Sequence, residues 1–172
     1  MKIVKGDLWD FWELGWKIVV STNIGWGRGL LVGEGNRQHA NNMGAGIAWE
    51  ASRRWPWLPE WLGSHYRARH LQGLEQRPVE HDQLRLIFVP VKPLKVDDPA
   101  YSWNQRASVE LIGQQLVWLA PHKGRIALGF VGCGNGGLKQ GQVLPALLRL
   151  EMVRDHHGCG QTVVVDREHL ES

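Results

Sequence analysis

Unbroken apolar runs alternate with polar, glycine-rich stretches along this chain. Residues 17–22 (K-I-V-V-S-T), 84–89 (L-R-L-I-F-V), 125–131 (R-I-A-L-G-F-V) and 162–165 (T-V-V-V) are apolar on both alternating faces. Strands of that kind sit inside parallel sheets covered by helices on both sides. A shorter strand is predicted at Ile3 and Val4, ending in a turn at Gly6 and Asp7. Helical spacing predicts an amphipathic helix near 105–120, where Val109, Ile112, Leu116 and Leu119 fall on one stripe. Further helices are expected at 43–54, halted before Pro56, at 59–70 and at 142–155. Strands alternating with helices predict a three-layer α/β/α domain with a mixed, largely parallel central sheet. Ligands of such domains bind beyond the carboxyl ends of the strands.

Composition narrows the class. The 172 residues are 43% hydrophobic and 22% charged, with no apolar stretch long enough for a membrane helix. Residues 1–172 are read as one domain, and the N-terminus, which lacks a long apolar segment, leads to the expectation of a cytoplasmic protein without a membrane partner. The net charge of +3 and the pI of 9.1 permit a polyanionic partner without demanding one. Cys133 and Cys159 form no close-spaced redox or metal motif. His156, His157 and Cys159 have no fourth ligand nearby in sequence, and neither a metal nor a cofactor is expected.

Two glycine-rich segments carry the chemistry. G-C-G-N-G-G-L at 132–138 joins a buried strand to a helix, and M-G-A-G-I-A at 43–48 opens another. Glycine lets backbone N–H groups approach an anion closely, and a helix N-terminus adds more donors. Together they suit a diphosphate. The pattern is neither a P-loop nor a dinucleotide fingerprint, which argues against both of those nucleotide-binding classes. Residues 24–42 form a long connection without periodicity, of the length that is usually functional or mobile. Within it, Arg28, Arg37 and His39 are candidate phosphate contacts, though a solvated loop explains them equally well. Ten tryptophans are an excess; Trp49, Trp55, Trp57 and Trp61 read first as core packing and second as stacking platforms for a base.

K-G-D-L at 5–8, V-V-S-T-N at 19–23, the segment at 43–48, V-P-V-K at 89–92 and the final glycine loop together resemble a macrodomain, in order and spacing, across almost the whole chain. The nearest pattern is the branch that includes the DNA ADP-ribosyl glycohydrolase antitoxins. The resemblance implies ADP-ribose as ligand. Asp7 would accept from the adenine amino group, with Leu8 beside it, and Asn23 would hold the distal ribose. Met43, Gly44, Ala45, Gly46 and Ile47 would line the diphosphate on one side, and Val131, Gly132, Cys133, Gly134, Asn135, Gly136, Gly137 and Leu138 on the other. Lys92 matches the catalytic lysine of that branch, and the resemblance implies that it would act with Asn23 as the catalytic pair. A lysine there can act as acid, base or amine nucleophile, and the sequence does not choose.

The chain departs from the family at four places. Val91 replaces a threonine, Gly136 stands where the glutamate-directed relatives have an aspartate, Lys139-Gln140 replaces aspartate-tryptophan, and residues 24–42 expand a short connection. The expected function is removal of ADP-ribose from a modified target, with nucleic acid as partner and an ADP-ribosyltransferase toxin as counterpart. The alternatives are a non-catalytic ADP-ribose-binding module and a hydrolase of a small derivative such as ADP-ribose 1″-phosphate.

Overall fold

The computed structural model describes residues 1–27 and 39–167. Strands β1 (Ile3–Lys5), β2 (Lys17–Asn23), β3 (Val79–His81), β4 (Leu86–Lys92), β5 (Ile126–Leu128) and β6 (Thr162–Asp166) form one sheet in the order β1-β6-β5-β2-β4-β3. Every pairing is parallel except β3 with β4. Helices α1 (Leu8–Glu13), α2 (Gly46–Arg54) and α3 (Leu58–Leu71) cover one face, and α4 (Val109–Leu119) and α5 (Gln140–His156) cover the other.

The apolar runs are buried on both sides because alternate side chains enter opposite cores. Ile18 and Val20 point with Leu86, Phe88 and Ala127 into the core under α1, α2 and α3. Val19 points with Ile87, Val89, Ile126 and Leu128 into the core under α4 and α5. Burial of each such side chain contributes about 1.5–3 kcal/mol relative to exposure.

The strand predicted at 84–89 runs on to Lys92, through Pro90. Proline removes a ladder donor and is tolerated in sheets only at edges and bulges. Here the register of β2 against β4 slips at that point: Thr22 lies opposite Pro90, and Asn23 lies opposite Lys92. The slip accommodates the proline and brings Asn23 and Lys92 side by side at the carboxyl end of the sheet. Two elements lie where no helix was expected. Helix α1 is capped by Asp7, whose Oδ1 accepts from Trp9 N at 3.1 Å. A 3₁₀ helix spans Pro99–Asn104, with Pro99 in its first turn. Helix α2 begins three residues later than expected, at Gly46, after an extended Ala45. No helix among the described residues is long and apolar enough to cross a membrane.

Candidate functional site

A cleft of about 770 Å³ opens at the carboxyl ends of the parallel strands. One wall is the N-terminus of α2. Gly44, Ala45 and Gly46 are exposed there, and no side chain caps the helix. Its first N–H groups therefore face the cleft without a partner side chain, and the helix dipole adds a partial positive charge. The opposite wall is the glycine loop that follows β5. Gly132 has φ 81°, and a Cβ on it would lie 2.5 Å from Ile112 Cδ1, so only glycine fits. Gly137 has φ 78° and ends a short 3₁₀ turn, Gly134–Gly136. The loop reconnects through a hydrogen bond from Leu138 N to Gly132 O.

Between the walls lies Lys92. It is half-buried, and loss of hydration lowers its pKa from the ordinary lysine range. Its Nζ donates to Trp103 O at 2.6 Å, which fixes the amine against the 3₁₀ segment. Asn23, its register neighbour, is buried and fully engaged. Its Nδ2 donates to Asn42 O (2.9 Å), and its Oδ1 accepts from Gly25 N (2.8 Å) and Asn41 Nδ2 (3.1 Å). Asn41 Nδ2 also approaches the carbonyls of Asn23 and Gly25. The described ends of the long loop, 24–27 and 39–42, are thus sewn to the end of β2. Arg28 and Arg37 lie outside the described residues. His39 sits against Gly63 of α3 and does not line the cleft.

Of the residues singled out in the sequence, Leu8, Asn23, Gly44, Ala45, Gly46, Ile47, Lys92, Val131, Gly132, Cys133, Gly134, Asn135, Gly136 and Gly137 line the cleft. Met43, Leu138 and Asp7 do not. Met43 and Leu138 are buried in the two cores, where they anchor the glycine-rich segments from beneath. Asp7 stands at the margin, where Arg167 Nη2 donates to its Oδ1 at 3.2 Å. Arg167 also forms a two-pronged pair with Glu50 of α2, both contacts at 2.8 Å.

Cleft residues that the sequence reading passed over include four from the 3₁₀ segment and the residues after it, together with Asn42, Asp166 and Arg167. Trp103, Asn104, Gln105 and Arg106 form its rim, and Arg106 Nη2 donates to Gly137 O at 3.2 Å across the mouth. Asp98 followed by Pro99 is a helix-start signature that was there to be read. With Lys92, Arg106 and Arg167, three cationic side chains border two walls of backbone donors. The site suits an elongated, phosphate-bearing ligand. Its volume lies in the range of small-molecule sites. Among the described residues, no three His, Cys, Asp or Glu side chains come together as metal ligands.

The fold can be placed among solved structures. The macrodomain of Mycobacterium tuberculosis DarG superposes with a TM-score of 0.58 at 21% identity, over 95% of this chain and 96% of that one. The macrodomain of Thermus aquaticus DarG gives 0.59 at 21% identity, over 96% and 97%. The chain has the macrodomain fold. A protein of unknown function from Bacteroides thetaiotaomicron matches this chain with a TM-score of 0.58 at 16% identity, over 96% of both chains. No protein-family model and no curated protein matches the sequence.

Proposed function

We propose that this macrodomain, acting as one domain over residues 1–172, binds ADP-ribose in its cleft and hydrolyses it from a modified target, with nucleic acid as the target class. The observation that carries the proposal is the pairing of two backbone-donor walls, the α2 N-terminus and the glycine loop, around one half-buried amine. The walls hold the diphosphate, and the amine stands where the distal ribose would meet it. Asp7 Oδ1 is taken by Trp9 N and Arg167, which leaves Oδ2 to accept from the adenine amino group. Asn23 acts on the distal ribose chiefly by holding the loop ends in place, since its carboxamide is already engaged. A lowered pKa increases the neutral fraction of Lys92, as a base or an amine nucleophile requires.

The choice of nucleic acid is supported by the antitoxin-like motifs and by the two DarG macrodomains that share the fold. Gly136 leaves the glycine loop without the aspartate of the glutamate-directed relatives. A toxin that attaches ADP-ribose would be the counterpart, and the cytoplasm the setting. One observation favours the second reading, a binding module without turnover: the hydrogen bond to Trp103 O holds Lys92 as an ammonium that merely balances phosphate charge. Mass spectrometry after incubation with thymidine-linked and phosphate-end-linked ADP-ribosyl DNA, ADP-ribosyl protein and ADP-ribose 1″-phosphate separates these readings. Release of ADP-ribose from a nucleic-acid substrate is the expected result. Binding without release from any substrate would establish the module instead.

A further inference from the structure

The opposite rim of the sheet, where the parallel strands begin, carries a row of arginines laid on tryptophans. Arg54, at the end of α2, has its guanidinium 3.8 Å from the Trp9 ring centre and 5.4 Å from that of Trp12. Arg85, immediately before β4, lies 4.6 Å from the Trp12 ring, and Arg125, immediately before β5, lies 5.2 Å from Trp16. The last two converge on one turn: a Cβ on Gly15 would be 3.7 Å from Arg85 Nη1 and 3.8 Å from Arg125 Nη2. On the outer face of α2, one turn before Arg53, Trp49 is 44% exposed, with Arg53 at 5.6 Å from its ring.

These guanidiniums are held in place without being neutralised. Arg85 and Arg125 each donate one bond to a carbonyl at the end of α1, on Trp12 and Leu14. None of Arg53, Arg54, Arg85 and Arg125 forms an ion pair among the described residues. The acidic groups nearby are otherwise placed. Glu50 is taken by Arg167, and Asp82 by Lys17 at 3.7 Å, while Asp10 and Glu13 on α1 pair with none of the four. Arg85 adopts φ 53°, a left-handed conformation that a non-glycine residue holds only when its surroundings fix it. A guanidinium stacked on a ring keeps its in-plane N–H edges for phosphate oxygens, and an exposed indole offers a face to a base.

We propose that this Arg–Trp row is a binding track for single-stranded nucleic acid, separate from the cleft. Helix α2 joins the two: its N-terminus forms the cleft wall, and its C-terminus delivers Arg53 and Arg54, about 13 Å away along nine residues. A strand lying along Trp49 and Arg53 reaches the rim, where Arg54, Arg85 and Arg125 meet successive phosphates. None of these residues lines the cleft, so the proposal stands whatever the cleft binds.

The test is fluorescence anisotropy of a labelled, unmodified oligothymidylate against wild-type protein at several salt concentrations. Two variants are compared, Arg54→Glu/Arg85→Glu/Arg125→Glu and the solvent-facing Trp49→Ala/Arg53→Glu, with circular dichroism confirming that each is folded. Loss of three phosphate contacts should weaken binding about tenfold or more and reduce the slope of log affinity against log salt by about 2. The second variant keeps the test valid if the first does not fold, and it should weaken binding by about threefold through the lost stack and charge. Wild-type affinity in a folded variant, no binding by the wild type, or equally tight binding of polyglutamate would overturn the proposal. The last result would mark the row as a dock for acidic proteins.

Discussion

Where the parallel strands end, this chain uses glycine and asparagine; where they begin, it uses arginine and tryptophan. The carboxyl rim is shaped by backbone. Gly132 and Gly137 take positive φ, the α2 N-terminus is uncapped, and Asn23 and Asn41 are occupied with main-chain groups. The amino rim is shaped by side chains, with guanidiniums held over indole rings. A backbone-built site is least tolerant where glycine is required, as at Gly132, whose positive φ and contact with Ile112 leave no room for a Cβ. A side-chain-built surface loses one interaction at a time. The two rims should therefore answer mutation differently.

The largest effect is expected at Lys92, the half-buried amine of the carboxyl rim. Lys92→Ala and Lys92→Arg should each bind ADP-ribose but slow single-turnover release by about 10²–10⁴-fold, since a guanidinium neither shares a proton near neutral pH nor attacks an aldehyde. If neutral Lys92 is the active form, the wild-type rate rises with pH, and its inflection lies below the ordinary lysine range, because burial depresses the pKa. Wild-type rates in both variants would remove Lys92 from the mechanism and erase its distinction from the amino rim.

Gly132→Ala follows. It combines a strained positive φ with a Cβ pressed on Ile112, and should cost about 3 kcal/mol in denaturant unfolding. A loss under 1 kcal/mol would mean that the wall yields. Asn41→Ala removes the donor shared by Asn23 O, Asn23 Oδ1 and Gly25 O, and should cost about 2 kcal/mol while loosening the ends of the long loop. Arg85→Ala is the control from the other rim. Losing one stack and one hydrogen bond should cost about 1 kcal/mol, read as a shift of a few degrees in Tm. A larger loss there than at Gly132 would invert the comparison.

How much of this was legible in the sequence follows from the same distinction. The central strands announced themselves as apolar runs, and the glycine loop as a cluster that a plain turn does not need. Strand β3 left no trace because Val79, Glu80 and His81 are strand only by pairing with Phe88, Ile87 and Leu86. Helix α1 is six residues long, too short for its period to stand out among Trp9, Phe11 and Trp12. The adjacency of Asn23 and Lys92 depends on a register slip at Pro90, which no local pattern encodes. The engagement of Asn23 by Asn41 and Asn42 depends on where a long loop returns. The pairing of Arg167 with Asp7 spans almost the whole chain.

The central claim is that the two backbone walls hold ADP-ribose. Isothermal titration calorimetry of the wild-type protein with free ADP-ribose tests it most directly, with thermal unfolding as a parallel readout. The account predicts saturable, one-to-one binding, weaker binding of AMP, and a stabilisation of about 2.7 kcal/mol at a ligand concentration 100 times Kd. Neither heat nor a Tm shift at millimolar ADP-ribose would contradict it.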